Sequence, residues 1–221
     1  EAGQIVGGSG QGAMLWEGGG YTVLASLGGT SGWANDINEA GQIVGYSEGP
    51  GNGFAHATLW DNGAVIDLDP TGSYSTAEGI NDQGQVVGSR EFGWQAMRWA
   101  DGTGVVLNDA YATWGLAINS HGVAVGGEVD GNTLGDLALM WGADGAETAL
   151  SSLVDPSQAI LFRAQDINDR GWIAGYALNS QTQLTQAFVL IPVPEPETLV
   201  LLMSGLAMLL AIAARRKSRP L

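Results

Sequence analysis

The sequence predicts an all-β protein: a propeller-like array of four-stranded repeats of about 40–45 residues, followed by one C-terminal transmembrane helix. Three observations predict it. One phrase recurs five times, as EAGQIVG (1–7), INEAGQIVG (37–45), INDQGQVVG (80–88), INSHGVAVG (118–126) and INDRGWIAG (167–175). A second landmark keeps step with it: GAMLW (12–16), HATLW (56–60), QAMRW (95–99), LALMW (137–141) and QAFVL (186–190). Last, an uncharged run ends the chain, with Pro-Glu-Pro before it and basic residues after it.

Each element of a unit follows from its residues. WANDIN (33–38) reads as a short strand, and NDQG (81–84) or NDRG (168–171) as a turn, because Asn, Asp and Gly tolerate positive φ. QIVGYS (42–47) or QVVGSR (85–90) then gives a β-branched strand without polar alternation, as expected of a strand covered on both faces. The Gly closing its apolar run lets another backbone approach closely. The Ala-x-x-Trp segment is the third strand, closed by DNG (61–63), ADG (100–102) or GADG (142–145), and AVIDLD (64–69) or GVVLND (104–109) is the fourth. A flat β-solenoid is the competing architecture. The phrase glycines Gly3, Gly41, Gly84, Gly122 and Gly171 stand 38, 43, 38 and 49 residues apart, which predicts at least four complete units and an insertion near 176–185. Residue 1 falls mid-phrase, without its Ile-Asn, so the natural chain is expected to extend upstream, and an exported protein needs an N-terminal signal peptide.

Gly makes up 35 of the 221 residues, more than twice the usual ~7%, with no collagen period, which fits many tight turns. Cysteine is absent, so disulfides and thiolate metal sites are excluded. Residues 1–194 hold 4 basic and 21 acidic residues, a balance of −17 with no lysine, so a nucleic-acid partner is not expected.

The stretch LGGTSGWANDINEAGQIVGYS (27–47) followed by HATLW (56–60) resembles the bacterial extracellular HAF repeats. That family is named for a His-Ala-Phe triplet; His56-Ala57-Thr58 keeps two of its letters and Gln186-Ala187-Phe188 a different two. The resemblance covers about residues 1–191 and implies an extracellular repeat domain without specifying an activity.

Residues 198–214 form an uncharged 17-residue run rich in Leu, Ala and Met. At about 1.5 Å per residue a helix there is about 25 Å long, enough to cross a bilayer core when flanking arginines snorkel. Arg215, Arg216 and Lys217 act as the membrane stop and fix a cytoplasmic tail, 215–221, with the repeats outside. Pro194 and Pro196 keep the 192–197 linker extended and accessible. Pro-Glu-Pro, apolar helix and arginine-rich stop, in that order, closely resemble the PEP-CTERM sorting signal recognised by exosortases. The resemblance implies that Pro194, Glu195 and Pro196 are the sorting motif. It also implies an exosortase-type processing enzyme as partner, a Gram-negative envelope, and a setting of exopolysaccharide or biofilm. The protein is then anchored in the inner membrane before processing and lies at the cell surface or in the extracellular matrix after it.

The other chemistry-bearing residues read mostly as structure. His56 and His121 occupy variable repeat positions, and two unrelated histidines do not make a zinc site. Trp16, Trp60, Trp99 and Trp141 recur at one strand position, as core residues do, and Trp33 and Trp114 hold a fixed place before Ile-Asn. Trp94 and Trp172 fall outside both patterns and are the candidates for surface ligand contacts. Asp36, Asp82 and Asp169 are explained as turn formers. DGNTLGD (130–136) lacks the ligand spacing of an EF-hand loop, and no cofactor is expected beyond weak calcium binding by the acidic surface. No catalytic residue is assigned. The expected protein is a non-enzymatic envelope or matrix component. A propeller-type glycan-binding or glycan-hydrolysing surface protein, with acids gathered at one mouth of a central channel, and a calcium-dependent adhesin are the alternatives.

Overall fold

Alternating turn signals and β-branched runs leave no stretch of this chain able to form a long helix before residue 191. The structure, a computed structural model, agrees: among the described residues the regular elements are eighteen strands and one 3-10 turn, Leu150–Leu153. It describes residues 3–193 apart from 52, 73, 92–94, 109–111, 130–135, 156 and 158.

The strands form five antiparallel meanders in chain order. The first sheet holds β1 (Ile5–Ser9), β2 (Gly12–Glu17) and β3 (Gly20–Val23). The second holds β4 (Gly32–Ile37), β5 (Ile43–Glu48), β6 (Ala55–Asp61) and β7 (Ala64–Asp67). The third holds β8 (Ser75–Ile80), β9 (Val86–Arg90), β10 (Gln95–Ala100) and β11 (Thr103–Asn108). The fourth holds β12 (Thr113–Ile118), β13 (Ala124–Val129), β14 (Asp136–Trp141) and β15 (Glu147–Ala149). The fifth holds β16 (Ala159–Ile167), β17 (Ile173–Asn179) and β18 (Thr185–Leu190). Four strands per unit are thus present in three sheets rather than four, and the end sheets have three each. The first sheet begins at the second strand of the unit, and the fifth stops at the third.

Local chemistry sets the turns. Asn62-Gly63 and Asp101-Gly102 both take positive φ, 48° and 81° in one pair and 50° and 73° in the other, closing the hairpins β6–β7 and β10–β11. The five phrase glycines have φ between 65° and 77°, and in the four units with a first strand the turn to the second is closed alike, by the Gly amide donating to the Asn carbonyl three residues before it.

Packing explains both landmarks at once. The landmark Ala of one sheet shares a core with the landmark Trp of the next: Ala13 with Trp60, Ala57 with Trp99, Ala96 with Trp141. A small residue on one face makes room for an indole arriving from the other. At the last junction Ala138 meets Leu190 instead. Trp60, Trp99 and Trp141 are buried accordingly. Hydroxyls tie neighbouring sheets further: the Ala57 amide donates to Ser75 Oγ at 2.9 Å, and the Ala96 amide to Thr113 Oγ1 at 2.9 Å.

Contacts run from each sheet to the next, with β4 on β1, β8 on β5, β12 on β9 and β16 on β13. Among the described residues no strand pair of comparable contact returns from the fifth sheet to the first, so no closed propeller ring is present. The expected insertion also lies elsewhere. Trp141 and Asn168 are 27 residues apart, against 20 to 22 at the other junctions, and the surplus lies around the 3-10 turn rather than at 176–185. The wider glycine spacing counts residues that precede Gly171, so it points upstream of that glycine. All five sheets belong to one compact unit, Glu1–Leu190.

Candidate functional site

The recurring Ile-Asn converges on one place. Ile37-Asn38, Ile80-Asn81, Ile118-Asn119 and Ile167 line a single cavity of about 210 Å3, with Glu39, Asp82, Ser120 and Asp169. Each asparagine first builds its own turn. Asn81 Oδ1 accepts from the Gln83 amide at 3.1 Å and the Gln85 amide at 2.9 Å, while its Nδ2 donates to Gln85 Oε1 at 2.8 Å. The same Nδ2 then reaches into the next unit. Asn38 Nδ2 donates to Asn81 O at 3.0 Å, Asn81 Nδ2 to Asn119 O at 2.9 Å, and Asn119 Nδ2 to Asn168 O at 3.2 Å. Asn38, Asn81 and Asn119 are buried; Asn168, at the end of this ladder, is exposed.

The acids follow the same logic. Asp82 Oδ1 accepts from the Glu39 amide at 3.0 Å, and Asp169 Oδ1 from the Ser120 amide at 2.8 Å. The Ser120 hydrogen bonds hold the Asp169 carboxyl below its ordinary range. Asp36 Oδ2 accepts from the Ile80 amide at 2.9 Å. These residues, read from sequence as turn formers, therefore also tie one unit to the next.

Deeper in the array the first strands carry charged groups that sequence reasoning missed. Burial pushes the Glu78 carboxyl above its ordinary range, against a hydrogen bond from Thr76 and the charge of Arg163. Burial likewise raises Asp36, helped by the charge of Asp166 and opposed by hydrogen bonds from the Ile80 and Ile37 amides. The Arg163 guanidinium lies over the Trp114 ring, 5.9 Å from its centroid. Charged residues on strands otherwise built of Ile, Ala and Gly were the available signal. Arg98, in place of the Leu, Met or Val of other units, donates to the carbonyls of Gly122, Gly142 and Ala143, each at 3.0 Å.

Of the sequence candidates for ligand contact, Trp172 is 39% exposed, and the Arg170 guanidinium sits 5.8 Å from its ring centroid. It stands where Gln42 and Gln85 stand in other units, and its amide donates to Asn168 Oδ1 at 3.0 Å. Trp94 and most of DGNTLGD lie outside the described residues, as do Pro194, Glu195, Pro196, the 198–214 run, Arg215, Arg216 and Lys217. His56 Nδ1 is 2.8 Å from Asp67 Oδ2, a local pair on the sheet surface. Among the described residues no group of three or more His, Asp or Glu is placed to hold a metal ion, and no helix is long and apolar enough to cross a membrane.

Residues 192–217 match a family model described as the PEP-CTERM protein-sorting motif. This segment is a sorting signal. It spans Pro194-Glu195-Pro196, the apolar run and Arg215-Arg216-Lys217. A PEP-CTERM motif points to an exported protein, targeted to an exosortase-type processing enzyme and anchored by its C-terminus in the membrane before processing. No curated protein matches the chain.

Proposed function

We propose that this chain is a non-enzymatic scaffold of the cell envelope or extracellular polysaccharide matrix, built of HAF-type repeats in a propeller-like arrangement and delivered by exosortase processing. The observation that carries the proposal is the PEP-CTERM motif at 192–217, directly after the repeat array. The array supports it, because the polar groups around the Ile-Asn cavity are engaged in holding neighbouring units together. In this reading 198–214 is the transmembrane helix, 215–221 the cytoplasmic tail, and 192–197 the linker that exposes Pro194-Glu195-Pro196. The inner membrane holds the protein until processing releases it, and exopolysaccharide is its final surrounding.

Changing Pro194, Glu195 and Pro196 together to alanine leaves the apolar run untouched, so membrane insertion persists while processing stops. Immunoblots of membrane and medium fractions from an exosortase-bearing host then show only the full-length species for the variant, and a form lacking the C-terminal helix for the parent. Identical processing of both sinks the proposal.

A glycan-binding surface protein is the second reading, favoured by the exposed Trp172 with Arg170 against its ring. Oligosaccharide binding that is lost on Trp172→Ala favours it over the plain scaffold.

A further inference from the structure

Each of the four first strands is bulged beside the glycine of the second strand, so the four pairs share one register. Two pairs before that glycine, Gly32 stands opposite Ser47, Ser75 opposite Arg90, Thr113 opposite Glu128 and Leu161 opposite Ala177. Ser75 and Thr113 supply the hydroxyls that accept from the Ala57 and Ala96 amides of the preceding sheet, each at 2.9 Å. Leu161 fills the same place at the last junction, buried in one core with Ala138. Gly32 alone of the four has no side chain to offer. A Cβ on it would stand 3.7 Å from the Ala13 nitrogen, so a hydroxyl there would reach that amide.

The space left open is a cavity of about 310 Å3, lined by Ala13, Ser26, Ser31, Gly32, Ser47 and Trp60 among others. Its walls are the β2–β3 hairpin, the loop 24–31 and strands β4 to β6; β1 takes no part. The loop is fastened from several sides. The Leu27 amide donates to Ser47 Oγ at 3.0 Å, Ser26 Oγ to Gly29 O at 2.8 Å, and Trp60 Nε1 to Ala25 O at 2.6 Å. Ala13 is buried, and its carbonyl accepts from the Leu24 amide at 2.9 Å. Both polar groups of a residue in an antiparallel strand point to one edge, so the Ala13 amide points to that side too. Every lining residue is uncharged, although residues 1–194 carry 21 acids against 4 bases.

We propose that this cavity binds a single neutral sugar ring. One sugar hydroxyl takes the place that the Ser75 and Thr113 hydroxyls hold at other junctions, and accepts from the Ala13 amide. That satisfies a buried donor which is costly to leave unmet. The other hydroxyls meet the serine oxygens and loop backbone, and the C–H face of the ring packs on Val23, Leu24 and Trp60. Ligand sites run from about 300 to 1,000 Å3, so a cavity at the small end takes one ring rather than a chain. Uronates and phosphorylated sugars are rejected, because their charge would be buried without a partner. The site is independent of the sorting motif, and lies on other sheets than Trp172.

The probes are glucose, galactose and mannose, with glucuronate as the charged control. Each is titrated into the isotope-labelled full chain, in a mild detergent without a sugar headgroup, and followed by NMR. At least one hexose should shift the Ala13 and Gly32 amides and the Trp60 indole saturably, and slow exchange of the Ala13 amide. Glucuronate should bind about tenfold or more weakly. Gly32→Ser supplies the hydroxyl from within the chain, so it should lower affinity about tenfold or more while melting no lower than the parent. If its Cβ, 3.0 Å from Tyr46 O, prevents folding, Val23→Trp blocks the cavity from an exposed position and should lower affinity equally. Trp172→Ala should bind like the parent, which separates this site from the surface tryptophan. The proposal is overturned if no hexose gives saturable shifts, if glucuronate binds as tightly, if a folded Gly32→Ser or Val23→Trp binds like the parent, or if Trp172→Ala abolishes binding.

Discussion

Asn81 holds two jobs in one side chain. Its oxygen folds its own turn, and its nitrogen closes that turn and grips the neighbouring unit, all at 5% exposure. A buried amide with every group engaged contributes far more than an exposed one, because removing it strands several partners at once. Glu78 is the opposite case, a carboxylate held where its charge is poorly solvated. Its folded pKa is raised, so the stability it contributes is complete below the ordinary carboxylate range and is lost as pH rises through the folded value. Glu78→Gln keeps the oxygen that accepts from Thr76 and removes the charge. The variant should therefore melt higher than the parent at neutral pH and equal to it in acid, by calorimetry across the two pH values. A parent-like difference at both would show that Glu78 is well solvated.

Within a sheet, the bulged first strand and the glycine of the second are one device. Gly88→Ala places a Cβ on the Thr76 carbonyl, backbone against backbone with no side chain to yield, and should cost about 4 kcal/mol or more by denaturant unfolding. Gly63→Ala is the comparison, since it has open space around it and carries only the strain of positive φ, about 1 kcal/mol. At this scale the sequence was largely legible. Hairpin turns, β-branched strands and the Ala-x-x-Trp strand all sit where their residues put them, because each depends on neighbours a few positions away. The close backbone approach at the glycine was legible too, although not which carbonyl makes it. The ladder was not legible, because Asn in Asn-Asp-Gly is sufficiently explained as a turn former. Its second role depends on a carbonyl 38 to 49 residues off, visible only once the units are placed side by side. Trp33 misled in a milder way: it is 45% exposed, yet its ring lies across Gly8.

The repeat array is a run of nearest-neighbour junctions made from recurring parts. Stability in such an array is close to a sum of unit and junction contributions. Its two ends differ for a physical reason. Ala174 is exposed on the fifth sheet, whereas Val44, Val87 and Val125, its counterparts, are fully buried under the next sheet. The sorting signal is the part most fully readable from sequence, since it is linear and needs no partner strand to be recognised.

The ladder of asparagines has a genetic meaning. Three of the four junctions carry the same contact, an Asn Nδ2 donating to the Asn carbonyl of the next unit, so any two Ile-Asn positions are interchangeable points of recombination. Excising residues 81–118 joins Ile80 to Asn119, restores the phrase without a scar, and brings Ala57 against Trp141 as it was against Trp99. Such a chain should fold as four sheets with a cooperative thermal transition, whereas excision of residues 81–121 should not, because it joins Ile80 to Gly122 and leaves that turn without its asparagine. A lineage carrying this repeat can thus gain or lose whole units by unequal crossing-over while each product stays foldable, and array length becomes a heritable variable rather than a fixed property.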